Sequence, residues 1–257
     1  MGANMTQWGK KNVVSFYANN RNKIDHLYLS EKKPLSKIMR KEVKSVLDYG
    51  CAVGGFYQIF QVMFEKQIKY HGLDTEKNVI KVAKKKFKKF KNVKFTKIKK
   101  GKLNIQSNKY SLSFCTGVLN HNSDYKAIIS ELIRVSSNYI FIDSPRVHTG
   151  RSFIGKLNLS NRFPSEIKSQ NIVNNYTVNL DKYFLFLKKI FIKNKISKAF
   201  FFHGVLPYKK KYLKINKKIA FLTFLCTKKK GNQNKKFEIL TKDKTIRKKF
   251  NKIFNNG

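Results

Sequence analysis

The sequence predicts an α/β protein with one doubly wound, mostly parallel sheet of seven strands, an antiparallel edge strand and a lid insertion after the fifth strand. Three observations support this prediction. Strand-like and helix-like patterns alternate from about residue 45 onward, which is typical of βαβ units. A glycine-containing turn follows the first strand. The 257 residues, 41% of them hydrophobic, are enough to bury one substantial core.

Apolar runs and helical spacing alternate through the first part of this core. The runs SVLDYG, IKYHGLD, NVKFTKI, YSLSFCTGVL and NYIFID predict the first five strands in that order. The segments FYQIFQVMFEKQ, TEKNVIKVAKKKFKKF and DYKAIISELIRVSS repeat apolar residues at helical spacing. Because crossovers between parallel strands are right-handed, we expect these helices on both faces of the sheet.

The pattern weakens after the fifth strand. Residues 144–181 show little periodicity, and so long a connection predicts an irregular functional lid. YFLFLKKIFI then predicts a helix, and ISKAFFFHGVL and KKIAFLTFLCTKK predict two strands that pair antiparallel. The expected organisation is an N-terminal helical cover at 1–44, a catalytic domain at 45–227 and a basic tail at 228–257. The tail has apolar residues on one side of a basic helix, which we expect to dock on the domain.

The chain carries 56 Lys and Arg residues against 14 Asp and Glu, a formal charge of +42. Such a surface attracts nucleic acid or other polyanions. The excess is nearly all Lys spread along the chain, as an AT-rich coding sequence also produces, so both explanations stay open. No run approaches the roughly 18 to 20 apolar residues of a membrane span, and the N-terminus lacks a cleavable signal, so we expect a soluble cytoplasmic protein.

The strongest local signal is VLDYGCAVGGF at residues 46–56. A strand that turns on Gly50 and runs through Ala52, Gly54 and Gly55 into a helix lets the backbone approach a ligand at the helix N-terminus. The same glycines satisfy a dinucleotide fingerprint, with Asp74 at the distance expected for a ribose ligand. The residues alone therefore leave two cofactor classes open.

The series VLDYGCAVGGF, YHGLDTEKNVIKVAKKKF and YSLSFCTGVLNHNSDYKAIISELIRVSSNYIFID resembles the motif series of class I S-adenosylmethionine-dependent methyltransferases, of the small-molecule and glycan type. In that family an acidic residue stands two positions before the first glycine, as Asp48 and Gly50 do here, whereas dinucleotide enzymes usually carry an apolar residue there. The resemblance implies a Rossmann-like methyltransferase fold with S-adenosyl-L-methionine as the cofactor.

The resemblance also implies the cofactor-binding residues. The first loop would pack against the methionine part, with Asp48 helping to order it, Asp74 would bind the ribose, and carbonyls from Cys115 onward would accept from the amino group. The full expected set is Asp48, Gly50, Cys51, Ala52, Gly54, Asp74, Thr75, Cys115 and Thr116.

Candidate acceptor residues follow the fourth and fifth strands. His121 is a candidate general base or orienting group, because an imidazole pKa near 6.5 suits proton removal at neutral pH; an ordinary hydrogen-bonded loop histidine is the alternative. Asn120 stands beside it. Arginines and a histidine gather in the expected lid, where they would bind a carboxylate or phosphate of the acceptor. These are Arg146, His148, Arg151 and Arg162.

Three other functions stay open at this point. RNA methylation fits the charge, but strand ISKAFFFHGV has no acid for the Lys, Asp, Lys, Glu set expected of RNA 2′-O-methyltransferases, so a small-molecule, sugar or lipid-linked glycan acceptor is preferred. A catalytically inactive binding protein of the same fold is the second alternative, and a nicotinamide-dependent reductase is the third. The five His show no metal-ligand spacing, so no metal is expected.

Overall fold

The computed structural model describes residues 7–39, 41–65, 67–99, 102–158, 172–205, 220–228 and 235–255. Its described strands form one sheet of eleven. The strands are β1 Ser45–Tyr49, β2 Lys69–Asp74, β3 Val93–Lys97, β4 Tyr110–Cys115, β5 Ser136–Asp143, β6 Arg146–His148, β7 Phe153–Asn158, β8 Ile172–Asn179, β9 Ile196–Val205, β10 Ala220–Lys228 and β11 Lys236–Leu240. The α-helices are α1 Lys11–Asn19, α2 Leu29–Leu35, α3 Gly55–Phe64, α4 Lys77–Lys86, α5 Tyr125–Val135, α6 Leu180–Lys193 and α7 Lys244–Phe254.

The sheet has a core order of β3-β2-β1-β4-β5-β10-β9. The first five of these strands pair in parallel, and β10 lies antiparallel between β5 and β9. The order in which strands are added to the sheet reverses between β1 and β4. This reversal leaves a crevice at the carboxyl ends of the two strands, which is where α/β sheets bind ligands. The predicted doubly wound, mostly parallel fold is confirmed, and β11 and the β6, β8 and β7 strands extend it.

Two apolar layers cover the two faces of the sheet. One layer packs α3 and α4 against the sheet through residues such as Phe60 and Ile80. The other packs α5, α6 and α7 through residues such as Leu132 and Phe184. Helices α4, α5, α6 and α7 turn an apolar stripe to the sheet and expose most of their lysines, as their sequence spacing predicts.

The expected irregular connection after β5 contains three strands. β6 pairs in parallel with β8, β7 pairs antiparallel with β8, and Val147 of β6 joins Ala220 of β10. β7 lies at the edge of this extension as an antiparallel strand. The sequence missed these strands because each is short and their pairing is not local in sequence. Arg162 lies outside the described residues.

The C-terminal segment packs on the domain. β11 pairs in parallel with β9. Helix α7 buries Ile246, Phe250 and Phe254, and the Phe250 ring lies 5.1 Å from that of Phe201 on β9. The predicted docking of the basic helix is confirmed. The described part of the expected tail is therefore built into the sheet and one of its two apolar layers.

The N-terminal residues form two helices whose connecting segment reaches the carboxyl edge of the sheet. A Cβ built at Gly55, the first residue of α3, would overlap the carbonyl oxygen of Arg21. The Arg21 guanidinium pairs with buried Glu31 and lies over the rings of Tyr28 and Phe56. These contacts hold the N-terminal segment against the start of α3. Among the described residues, no helix is both long and apolar enough to cross a membrane.

Candidate active site

The loop between β1 and α3 folds tightly over the end of β2. The amides of Gly50 and Cys51 both donate to the carbonyl of Leu73, at 2.8 and 3.0 Å. Gly50 and Gly54 have φ angles of 80° and 78°, a conformation that glycine adopts without a Cβ penalty. Ala52 has a φ of 46°, so it is held in the same region at a steric cost. The loop thus brings backbone close to the N-terminus of α3.

Asp74 ends β2 and ties this loop to the next one. Its Oδ2 accepts from the amide of Ala52 at 3.0 Å, and its Oδ1 accepts from the amide of Glu76 at 2.9 Å. Burial raises the pKa of Asp74 to about 6, while these backbone donors lower it. Each carboxylate oxygen keeps further acceptor capacity, which is what the two hydroxyls of a ribose require. Thr75 follows it, half-buried.

Asp48 lies beneath the glycine loop that it is expected to help order. Its Oδ2 accepts a hydrogen bond from the Tyr70 hydroxyl. Asp48 is 2% exposed, and burial raises its pKa to about 7; the Tyr70 hydroxyl opposes that rise and Asp74 adds to it. The side chain points into the layer under the loop because it follows Val46 on the same strand face. The hydrogen bond from a carboxylate to the loop is made by Asp74, which accepts from the amide of Ala52.

The end of β4 is the second wall of the crevice. Cys115 is buried, Thr116 is half-buried and Gly117 is exposed with a φ of 68°. A Cβ at Gly117 would meet no atom within 4 Å, so there is open space at this position. The amide of Gly117 donates to Oδ2 of Asp143 at 3.3 Å. The turn at Gly117 therefore borders open space, whereas the Cys51 and Cys115 side chains point into the core.

His121 sits in a short helical turn after β4 and joins three parts of the chain. Its Nδ1 lies 2.8 Å from the carbonyl oxygen of Asn174 on β8, so Nδ1 carries the proton and donates. Its Nε2 lies 2.9 Å from the amide nitrogen of Asn120, which donates to it. The Trp8 ring packs against the imidazole, with centroids 4.8 Å apart. The described contacts fix both the tautomer and the orientation of the ring.

The expected oxyanion-binding group after β5 is brought together only in part. Arg146 is 4% exposed and begins β6. His148 is also buried, but its Nδ1 accepts from the Gly150 amide and its Nε2 donates to the Arg151 carbonyl. Both ring nitrogens of His148 thus hold the turn after β6, and its role at the acceptor stays a prediction. The Arg151 side chain is exposed.

A family model described as a methyltransferase domain matches residues 40–223, which include the glycine loop, Asp74, the end of β4 and β8. The chain belongs to the methyltransferase domain family. No curated protein matches its sequence. The enzyme is thus a methyltransferase, and its predicted resemblance to the class I S-adenosylmethionine-dependent methyltransferases is confirmed.

Solved structures of other methyltransferases share the fold of this one. A Haemonchus contortus phosphoethanolamine N-methyltransferase 2, in complex with S-adenosyl-L-methionine, is 15% identical with a TM-score of 0.54, over 86% of this chain and 57% of that one. A Chlamydomonas reinhardtii arsenic(III) S-adenosylmethionine methyltransferase is 14% identical with a TM-score of 0.51, over 75% and 66%. A putative methyltransferase from a Haloferax volcanii Trm112 complex is 11% identical with a TM-score of 0.51, over 86% and 95%.

The methyltransferase has three further residues at this edge that sequence reasoning missed. Asp143 ends β5, and an acid closing NYIFID is a signal comparable to Asp48. Trp8 is the single tryptophan of the chain, but nothing local in sequence connects it to His121. Asn175 is buried in β8 within the segment expected to be irregular. Among the described residues no group of three metal-ligating side chains is present.

Proposed function

We propose that this methyltransferase transfers the methyl group of S-adenosyl-L-methionine to a small-molecule, sugar or lipid-linked glycan acceptor that carries an anionic group. The observation that supports it best is the joint geometry of the glycine loop and Asp74. The loop presents backbone at a helix N-terminus, and the Asp74 carboxylate has acceptor capacity for two hydroxyls. The backbone of the loop, the Asp74 carboxylate and the open space at Gly117 fit that cofactor.

Each element of the crevice then has one role in binding. The loop residues Gly50, Cys51, Ala52 and Gly54 hold the methionine part through their backbone. Asp74 accepts from the ribose hydroxyls, with Thr75 beside it. The carbonyls of Cys115 and Thr116 accept from the cofactor's amino group, and buried Asp48 adds negative charge beneath a cationic ligand.

When bound, the cofactor supplies an electrophilic methyl group on a positively charged sulfur. The chain itself aligns the acceptor with this methyl group and accepts or releases the proton that the acceptor loses. His121 is held by β8 through Nδ1, and its Nε2 accepts from the Asn120 amide, so it orients the acceptor through the Asn120 side chain that it holds in place. To act as a general base, its Nε2 has to release the Asn120 amide first. Orientation is therefore the role that we assign to His121, with proton removal as the alternative.

The acceptor lies on the side of the crevice formed by β6 and β8. Arg146 provides a buried guanidinium, a group whose planar geometry suits a carboxylate or phosphate. Asn120 and the exposed Arg151 complete the proposed acceptor set. Loss of Arg146 should raise the KM for the acceptor without weakening cofactor binding.

Titration calorimetry with S-adenosylhomocysteine tests the cofactor assignment. We expect S-adenosylhomocysteine to bind to the wild-type protein. It should bind about 10- to 100-fold more weakly to Asp74→Ala, because hydrogen bonds to a charged group are lost. NAD should not bind to the wild-type protein. Asp25→Ala is the matched control, because Asp25 is an exposed aspartate. Equal affinity of the Asp74→Ala and Asp25→Ala variants, or binding of NAD instead, would contradict the proposal.

RNA methylation is a second candidate because the net charge of +42 favours polyanions. The two candidates differ in where a labelled methyl group from the cofactor goes. Incorporation into RNA that falls steeply with salt supports the RNA acceptor, and incorporation into the small-molecule fraction supports the first proposal. Binding of S-adenosylhomocysteine without any incorporation from a complete cell extract supports the inactive binding protein.

A further inference from the structure

Asn175 has a buried side-chain amide whose hydrogen bonds are not made. Its side chain lies in β8 and the residue is 2% exposed. Neither its Nδ2 nor its Oδ1 has a hydrogen-bond partner within the described structure. A buried amide without partners is costly, so such groups are rare unless something outside the fold satisfies them.

Strand alternation puts Val173, Asn175 and Thr177 on one face of β8. Thr177 pairs with Arg146 on β6, so the Arg146 side chain belongs to the same face, one residue pair, or about 7 Å, along the strand from Asn175. On the other side Asn175 pairs with Gly155 of β7, which has no side chain to meet it. Arg146 and Asn175 thus lie on the same face of two paired strands.

A chain of contacts connects this face to the glycine loop. A Cβ at Gly50 would overlap Cγ2 of Val118, so the turn after β4 lies directly on the loop. Three residues further on, His121 donates to the carbonyl of Asn174 at 2.8 Å. Asn175 follows Asn174. Asn175 is therefore next in sequence to Asn174, the β8 residue that contacts His121 at the wall of the proposed cofactor crevice.

The N-terminal helix covers the same face. Val173 packs with Trp8, Phe16, Tyr17 and Leu157 around fully buried Val13 of α1. Apolar side chains thus border the face of β8 that carries Asn175, which favours a small ligand over a polymer at this face. A ligand that binds at this face has to satisfy the positive charge of Arg146 and the amide of Asn175 together.

We propose that Asn175 is a specificity-determining residue that, with Arg146, binds an oxyanion group of a small acceptor, a phosphate or a carboxylate. The amide nitrogen of Asn175 donates to one oxygen of the anion, and its carbonyl accepts from a hydroxyl or amine of the same acceptor. Arg146 donates to the remaining oxygens. This inference rests on the proposed function, because it names the acceptor class of that crevice.

Two matched variants of β8 test it. Asn175→Asp places a negative charge on the proposed binding face, whereas Asn174→Asp places the same charge on the opposite, exposed face of the next residue. Inorganic phosphate and acetate are titrated into each protein, with and without saturating S-adenosylhomocysteine. Calorimetry gives the affinity. The fluorescence of Trp8, the single tryptophan, reports anion binding near β8, because Trp8 and Val173 belong to the same apolar cluster.

We expect Asn175→Asp to weaken binding of the preferred anion at least about tenfold through like-charge repulsion, and Asn174→Asp to leave it within about twofold. Preference for phosphate or for acetate identifies the anion. Equal effects of the two variants, or no binding to wild type, would overturn the inference, because a protein of charge +42 binds anions elsewhere on its surface. If S-adenosylhomocysteine fails to bind while the variants still differ, the cofactor assignment fails and the anion site stands.

A second measurement separates a ligand-binding amide from a structural one. Asn175→Leu removes the unsatisfied amide at similar volume, so we expect the ligand-free protein to unfold about 2 to 6 °C higher. It should also lose anion binding. A lower unfolding temperature would mean that the amide stabilises the fold, which contradicts the proposal.

Discussion

Asp48→Asn is expected to stabilise the ligand-free protein at high pH. The wild-type carboxyl is 2% exposed, and burial raises its pKa from 3.8 to about 7. A carboxyl whose pKa is higher in the folded state than in the unfolded state destabilises the fold as it ionises. The substitution keeps an oxygen that can accept from Tyr70 and removes the charge.

The two pKa values give the magnitude. The cost of keeping the ionised carboxyl buried is absent below about pH 4, is about 2 kcal/mol at pH 5 and is about 4 kcal/mol at pH 8, above the folded-state value. An amide does not titrate, so its own packing and hydrogen-bonding changes are the same at both pH values. The free energy of unfolding of the variant relative to wild type should therefore grow by about 2 to 3 kcal/mol from pH 5 to pH 8.

Denaturant unfolding of both proteins at pH 5 and pH 8 measures this difference of differences. The comparison cancels the titration of every other group that the two proteins share. Asp25→Asn, which removes a carboxylate from an exposed position, is the control variant. A variant-minus-wild-type difference that stays constant, or that shrinks toward pH 8, would refute the reasoning that burial of Asp48 controls its ionisation.

Two further predictions concern the loop and the C-terminal helix. Gly50→Ala should destabilise the protein by about 2 to 4 kcal/mol, because the new Cβ overlaps Val118 in a left-handed backbone; Gly117→Ala, also left-handed but in open space, should cost only about 1 to 2 kcal/mol, and equal costs in denaturant unfolding would contradict the steric argument. Phe250→Ala should cost about 3 to 5 kcal/mol, because its ring is fully buried, whereas Lys252→Ala on the exposed face of α7 should change unfolding by less than about 0.5 kcal/mol. A small effect of Phe250→Ala would mean that α7 is a detachable tail.

The elements of the core could be predicted because their signals are local. Apolar runs bounded by turns gave β1 to β5, and helical spacing gave α3, α4 and α5, within a few residues of their ends. The glycine loop is also contiguous, so its fold and its place at a helix N-terminus follow from VLDYGCAVGGF. The antiparallel pairing of β9 with β10 was predicted for the same reason.

The acceptor side could not be predicted in the same way. β6, β7 and β8 are short strands whose pairing joins segments far apart in sequence, so residues 144–181 read as irregular. A histidine such as His148 is a common ligand-binding residue. Only the fold shows that its two ring nitrogens make hydrogen bonds to the backbone of the turn after β6. Asn175 has no sequence signal at all, because its importance lies in the absence of partners around it.

The sequence by itself determined the doubly wound sheet, the glycine loop and the acidic strand end at Asp74, because periodicity and turn chemistry act over a few residues. Only the tertiary structure decided which carboxylate holds the loop, since Asp48 and Asp74 end neighbouring strands and differ only in what packs around them. It also decided that Trp8, His121 and β8 meet. Contacts between distant segments depend on how the layers pack, and that packing is a property of the whole chain.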